Sequence, residues 1–186
     1  MKWKLLVSLL VFAAFFTTSA KAQDDSKIDI FAGYSYLRTN PSAAGASGFS
    51  LNGGSASIAY NIKPWLSAVA DFGGYTNLNL FNVGSSGTAS TYLFGPRVYI
   101  HHIWRVHPFA EALFGTVHGS ANLFDTVNSH NAFAAAFGGG FDFRISHHFS
   151  LRPLDVEYLP TRFPEIGAGR QTQDNLRAST GIVFHF

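Results

Sequence analysis

Residues 175–186 read NLRASTGIVFHF, and this C-terminal stretch alternates between two kinds of side chain. One set of alternate positions is apolar apart from a threonine: Leu176, Ala178, Thr180, Ile182, Phe184 and Phe186. The other set is mostly small, polar or charged: Asn175, Arg177, Ser179, Gly181, Val183 and His185. A period of two is typical of a β-strand, because successive side chains point to opposite faces of the sheet. The sequence therefore predicts that the chain ends in a strand with one apolar face.

The same period of two recurs along the chain. Residues 90–101 and 132–145 repeat it clearly, and in 132–145 large aromatic side chains alternate with Ala, Gly and Asp. Five weaker segments complete a set of eight predicted strands: 28–37, 49–60, 65–75, 106–118 and 149–159. Each strand is close to the roughly 9–11 residues that a tilted strand needs to cross a bilayer.

The predicted connections between these strands alternate in length. Short ones lie around 61–64, 102–106 and 146–148. Long ones, rich in Gly, Ser, Asn and Pro, lie around 38–48, 76–89, 119–131 and 160–174. Short turns at one end and long loops at the other are typical of an outer-membrane barrel. In lipid the eighth strand must pair with the first, because an open edge would leave backbone groups without partners.

The predicted fold is therefore all-β: an eight-stranded antiparallel up-and-down transmembrane β-barrel. Its large apolar face points to lipid and its small or polar face to the lumen, whereas a soluble barrel would place large apolar groups inside. Pro96 and Pro153 fall within predicted strands. Because proline removes a donor from the ladder, we expect each to lie at a bulge or at the barrel end.

Residues 1–22 have the composition of a cleaved signal peptide, so the predicted barrel domain is 23–186. A basic start at 1–4 precedes an apolar run at 5–16 and a small-x-small cleavage site at 20–22. The run is shorter than the roughly 17–25 residues of a membrane-spanning helix. Without the three leader lysines, ten basic residues face eleven acidic ones, which argues against nucleic-acid binding. The absence of Cys excludes disulfides and Cys-ligated metals.

Four segments carry a resemblance to a known family: TGIVFHF at 180–186, FAGYSYLR at 31–38, FGPR at 94–97 and PFAE at 108–111. Together they resemble the outer-membrane β-barrel domain family of Gram-negative bacteria, over essentially the whole mature chain. The resemblance implies that the alternating apolar end, with Phe184 and Phe186, is the signal read by the barrel-assembly machinery. It implies little about activity, because one fold serves many functions.

Several ionisable residues occupy inward positions of the predicted strands: Asp29, Asp71, Arg97, Glu111, Asp142, Asp155, Glu157 and Arg177. A narrow lumen is filled by side chains, so these groups must pair with one another or with trapped water. If 102–106 form a turn, the antiparallel ladder places Arg97 opposite Glu111, at a distance that suits an ion pair. We therefore predict a structural plug of polar groups, with a gated conductance as the alternative.

Histidine and serine residues suggest two further sites. His101, His102 and His107 bracket one short turn, but no third ligand is placed by spacing, so no metal and no cofactor is predicted. The segment His148-Phe149-Ser150 resembles the His-x-Ser arrangement of outer-membrane lipid A deacylases, in which a carboxylate orients the histidine. Here Leu151 stands where that family has Asn, and the register does not decide between Glu157 and Glu165 as the carboxylate. The other interpretation is that His147 and His148 are turn residues.

The sequence favours a non-enzymatic protein of the Gram-negative outer membrane, with its N-terminus in the periplasm. Its expected role is envelope structure, or surface contact through the long loops to an extracellular ligand that the sequence does not identify. Its expected partners are outer-membrane lipids and, during biogenesis, the barrel-assembly machinery, with no nucleic acid. The alternatives are a lipid A-modifying enzyme of the deacylase type and a narrow pore.

Overall fold

The computed structural model describes residues 26–40, 48–80, 85–100, 103–123, 126–165 and 169–186, so the predicted leader lies outside it. Eight strands account for nearly all of this part: β1 Ile28–Thr39, β2 Phe49–Lys63, β3 Leu66–Leu80, β4 Ser85–Tyr99, β5 Val106–Leu123, β6 Thr126–Arg144, β7 Phe149–Glu165 and β8 Gly169–His185. Within these described ranges, no helix has the length and apolarity needed to cross a membrane.

The eight strands form a closed antiparallel barrel, as predicted. Each strand pairs with the next in sequence, and β1 pairs with β8 from Asp29–His185 to Arg38–Leu176. Beyond this ladder, the backbone N–H of Lys27 donates to the carbonyl oxygen of Phe186 at 2.8 Å. Closure gives both edges of the sheet a partner, which a barrel in hydrocarbon requires. Both ends of the described barrel therefore meet at one rim, here called the terminal end.

The short connections also lie at the terminal end, in agreement with the sequence analysis. They join β2 to β3 at 64–65, β4 to β5 at 100–105 and β6 to β7 at 145–148. In the connection between β4 and β5, Ile103 and Val106 form an isolated β-bridge. Trp104, between these two residues, has a φ of 57°.

The connections at the opposite end are mostly shorter than predicted. The expectation of long loops over 76–89, 119–131 and 160–174 is wrong, because the strands extend through most of these segments and leave only 81–84, 124–125 and 166–168 between them. Antiparallel neighbours keep exchanging backbone hydrogen bonds whatever their side chains are, so polar segments rich in Gly, Ser and Asn can lengthen a hairpin. Only the β1–β2 connection keeps its predicted length.

Side-chain exposure follows the predicted period of two. On β6 the outward residues Phe133 and Phe137 are 56% and 43% exposed, whereas the inward Ala134 and Ala136 are fully buried. On β8 the same alternation leaves Leu176 and Ile182 outside and Arg177 and Ser179 inside. Large apolar groups face outward and small or polar groups fill the interior, which is the pattern of a barrel in lipid.

The two prolines behave differently. Pro96 lies outward on β4, and the β4–β5 register is the same on both sides of it. At Pro153 the register of β7 shifts against both neighbours, so this proline lies in a β-bulge. The extra residue of a bulge reverses the in–out alternation on one side of it. Arg152 and Asp155 consequently both point into the lumen, although simple alternation would place Arg152 outside.

Candidate functional site

The lumen is the candidate functional site, because it holds almost all the buried charge of the described barrel. Every ionisable residue that the sequence places inward is buried there: Asp29, Asp71, Arg97, Glu111, Asp142, Asp155, Glu157 and Arg177. Arg152, which the period-two count missed, joins them. These groups form two connected sets, a central network around three arginines and a terminal-end network around His185.

Arg97 and Glu111 lie directly opposite each other in the β4–β5 ladder. The Arg97 Nη2 and Nε atoms lie 2.8 and 2.9 Å from the Glu111 Oε2 atom. The Arg97 guanidinium also lies 4.6 Å from the centroid of the Phe109 ring, within the range of a cation–π contact. The distances are those of an ion pair between Arg97 and Glu111, which the register predicts, and the pair packs against the ring of Phe109.

Arg152 lies in the bulged part of β7 and binds two acidic side chains, one on β6 and one on β7. It donates to both carboxylate oxygens of Asp142, at 2.7 and 3.0 Å, and lies 3.5 Å from Asp155 Oδ2. Its guanidinium also contacts the rings of Phe109 and Phe31, at 4.3 and 4.7 Å from the centroids. Two parallel hydrogen bonds and two aromatic contacts fix the plane of this guanidinium.

Arg177 makes more side-chain hydrogen bonds than the other two arginines of the central network. It donates from Nη2 to Glu157 Oε1 at 2.8 Å and from Nε to the other oxygen of Glu157. Its Nη1 atom donates to Asp71 Oδ1 at 2.6 Å and contacts the hydroxyl of Tyr75. Arg177 on β8 thereby connects β7 with β3, across the interior of the barrel.

The central network carries an excess of negative charge. Three arginines face five carboxylates in the part of the central lumen that the structure describes: Arg97, Arg152 and Arg177 against Asp71, Glu111, Asp142, Asp155 and Glu157. One oxygen from each of Glu111, Asp155 and Glu157 lies within 4.8 Å of the other two, so these three residues are a set, among the described residues, that could hold a cation. Asp155 Oδ1 has no hydrogen-bond partner within the described residues. A proton on Asp155 would reduce the same excess without a metal.

The terminal-end network is a chain of hydrogen bonds between three strands. Ser150 Oγ on β7 lies 2.7 Å from His185 Nε2 on β8, and His185 Nδ1 lies 2.6 Å from Asp29 Oδ1 on β1. Asn61 and Ser26 donate to Asp29, at 2.8 and 2.7 Å. The serine, the imidazole and the oriented carboxylate have the connectivity of a catalytic triad.

This network lines a pocket with an open volume of about 70 Å³ at the terminal end. Two cationic side chains, Lys63 and Arg144, belong to the wall, and Arg144 lies opposite Ser150 in the β6–β7 ladder. His107 and Asp142 also line it, and Asp142 links the pocket to the central network through Arg152. The pocket therefore combines a potential nucleophile, a potential base and positive charge.

The structure gives Ser150 a different partner from the one that its sequence motif indicates. His148 is exposed, and its backbone N–H donates to Ser146 Oγ, whereas Ser150 points into the lumen toward His185. Glu157 is bonded to Arg177, and the side chain of Glu165 lies outside the described residues. His101 and His102 lie outside them as well. Sequence reasoning missed His185 as the partner because the register shift at Pro153 changes the β7–β8 pairing, and because only the closure of the barrel brings Asp29 of β1 beside His185.

The two residues of the predicted assembly signal lie beside the seam that closes the barrel. Phe184 packs edge-on against Phe149, with 5.1 Å between the ring centroids. The backbone N–H of Phe186 donates to the carbonyl oxygen of Ile28 at 2.9 Å, while its side chain is 68% exposed. The Phe186 ring is therefore free to contact lipid or another protein.

A closed eight-stranded barrel with an apolar exterior and a polar, filled lumen defines a small outer-membrane barrel protein. The chain belongs to the outer membrane protein β-barrel domain family, whose model matches residues 8–186. No curated protein matches this chain in sequence at a significant level.

Several solved structures are similar in fold. Neisserial surface protein A covers 88% of this chain and is itself covered completely, with a TM-score of 0.67 and 13% identity. The match to the attachment invasion locus protein Ail of Yersinia pestis spans 87% of this chain and 99% of Ail, with a TM-score of 0.60 and 17% identity. The match to OprG of Pseudomonas aeruginosa spans 87% of this chain and 97% of OprG, with a TM-score of 0.52 and 10% identity. At such low identity the likeness concerns the fold alone.

Proposed function

We propose that this protein is a closed outer-membrane scaffold that acts through its surface and does not conduct ions or modify lipids. The observation that supports the proposal is the central network, in which each arginine is held by at least one carboxylate at 2.6–2.8 Å. A water-filled path would require these buried pairs to separate, and leaving one such charge unpaired costs roughly 3–5 kcal/mol. We therefore propose that the protein acts through its outer surface, either as a structural part of the envelope or by contacts at the end opposite the termini.

The proposed orientation puts the terminal end in the periplasm and the opposite end outside the cell. It is supported by the 40–48 connection, which is longer than each of the three terminal-end connections and lies at the opposite end, because outer-membrane barrels have longer extracellular loops than periplasmic turns. Residues 1–22 would act as the export signal, and Phe184 and Phe186 would be read by the barrel-assembly machinery. Neisserial surface protein A and the attachment invasion locus protein bear names that denote surface roles, and a surface role is proposed here for the end with the 40–48 connection.

Epitope insertion tests the orientation. A tag placed within 41–47 should be detected on intact cells, whereas a matched tag between Pro64 and Trp65 should be detected only after the outer membrane is permeabilised. The reverse result would place the terminal end outside.

Two measurements test the absence of conduction and of lipid chemistry. The purified protein in planar bilayers should give no salt-dependent single-channel current steps. The Glu157→Gln variant, in which the central network is weakened, is measured beside it for comparison. Mass spectra of envelope lipids should be the same with and without the protein. Regular current steps in the natural protein would favour the pore, and an altered lipid A species would favour the enzyme.

Deletion of Phe186 tests the assembly signal. The shortened chain should accumulate as periplasmic aggregate or be degraded, because the residue that would be recognised is missing. Heat-modifiable barrel in the outer membrane at the normal level would contradict this role of Phe186. Replacement of the exposed Trp104, which lies in a turn at the same rim, is a matched control that should assemble normally.

A further inference from the structure

We propose that Ser150, His185 and Asp29 form a nucleophilic site that hydrolyses short carboxylic esters at the terminal end of the lumen. This activity goes beyond the scaffold role, which does not require it. The basis is geometric: Ser150 Oγ to His185 Nε2 is 2.7 Å, and His185 Nδ1 to Asp29 Oδ1 is 2.6 Å. Both distances lie within the reach that proton transfer between a nucleophile and its base requires.

The partners of His185 determine which nitrogen carries the proton. An ionised carboxylate accepts hydrogen bonds but cannot donate, so the Asp29 contact requires a proton on Nδ1. In the neutral ring Nε2 then has a free lone pair and accepts the hydroxyl proton of Ser150. Asn61 and Ser26 both donate to Asp29 and hold its carboxylate in place. The histidine is thus preset as a base toward Ser150.

The surroundings of Ser150 indicate the class of substrate. Residues opposite each other in a ladder have Cβ atoms about 4.5–5.5 Å apart, so Arg144 emerges beside Ser150 on the inward face. Its guanidinium, with Lys63 in the same pocket wall, can stabilise the negative oxygen of a tetrahedral intermediate. An open volume of about 70 Å³ suits a small acyl group. The expected substrate is an ester of a short acid such as acetate.

The reaction uses only the ester and water. Ser150 Oγ forms a bond to the carbonyl carbon while its proton moves to His185 Nε2. The bond from that carbon to the leaving oxygen breaks, and the leaving alcohol takes the proton from Nε2. Water then attacks the acyl-serine with His185 as base, releases the carboxylic acid and returns the proton to Ser150.

Covalent labelling of the natural barrel tests the proposal directly. Folded, heat-modifiable protein is treated with methanesulfonyl fluoride, whose reactive group is about the size of an acetyl group, and the modified residue is mapped by peptide mass spectrometry. The expected result is one adduct, on Ser150, and none in Ser150→Ala. Ser179→Ala is the matched control, because Ser179 is an equally buried lumen serine that bonds Ser35 rather than a histidine. A folded natural barrel that shows no adduct on Ser150 overturns the proposal.

Ester hydrolysis gives an independent test with variants that keep the serine. Asp29→Asn should lower the rate with p-nitrophenyl acetate by roughly 10²–10⁴-fold while heat modifiability shows a folded barrel. Arg144→Leu should lower it by roughly 10²–10³-fold. Acetate should be cleaved faster than octanoate, in keeping with the pocket volume. Rates that stay at the level of the natural protein in Asp29→Asn or in His185→Gln would overturn the assignment.

Discussion

The two networks of the lumen are both buried and polar, yet they are built differently. In the central network Arg177 binds two carboxylates and its side chain is 2% exposed, whereas in the terminal-end network the His185 side chain is 10% exposed beside a pocket. The first set consists of full charges that can exist inside a barrel only when paired. The second consists of a serine, a histidine and a carboxylate that are joined by hydrogen bonds and line a pocket. Dense pairing makes a plug, and looser polar packing leaves room for a ligand.

Removal of Arg177 should produce the largest effect of all substitutions within the lumen. Arg177→Met leaves Glu157 and Asp71 without their shared cation, and an unpaired buried charge costs roughly 3–5 kcal/mol. The free energy of unfolding in lipid vesicles, from urea titration, measures this loss. Arg38→Met at an exposed position is the control and should change stability by less than about 1 kcal/mol. Equal effects of the two variants would mean that the central network does not carry the barrel's stability.

The Arg97–Glu111 pair tests whether pairing itself is what matters. Arg97→Met and Glu111→Gln should each destabilise by about 3 kcal/mol, because each leaves one charge buried alone. The double variant should be less destabilised than either single variant, since both charges are gone. The comparison is a double-mutant cycle in the same vesicles. Simple additivity would show that the two side chains do not interact energetically.

Neutralising Asp155 should not destabilise the barrel in the way that neutralising the other central carboxylates does. Its Oδ1 atom has no partner within the described residues, and the network already has more carboxylates than arginines. Asp155→Asn should therefore change the unfolding free energy by only about 1 kcal/mol, with stabilisation as the favoured sign, whereas Glu157→Gln should cost several times more. A large loss in Asp155→Asn would show that its charge is needed and that the excess is neutralised by a bound ion.

The terminal-end network should contribute least to stability. Ser150→Ala removes one hydrogen bond, whose typical net contribution is about 0.5–1.5 kcal/mol, and leaves the His185–Asp29 contact intact. Its unfolding curve should lie close to that of the natural protein. A loss as large as that of Arg177→Met would erase the difference between the two networks and make Ser150 a structural residue.

Much of the lumen is predictable because a strand has only two faces. The period of two places Arg97, Glu111 and Arg177 inside, and a short turn is enough to set the β4–β5 register that brings the first two together. The same argument does not predict that Arg152 points inward. The bulge at Pro153 adds one residue to β7, and local sequence does not say on which side of a proline the alternation changes. The proline itself is the available signal, because a ladder position without an N–H is where a bulge is tolerated.

The sequence by itself determined the class of fold, the outward face and every inward charge except Arg152, because the alternation of side chains between two faces depends only on neighbours along the chain. Tertiary structure alone decided which of these charges meet. Arg177 reaches Asp71 across the lumen, and Ser150, His185 and Asp29 come from three strands that adjoin only after β8 pairs with β1. Such contacts depend on barrel closure and register, which are set by backbone pairing over long sequence separations and not by any local pattern.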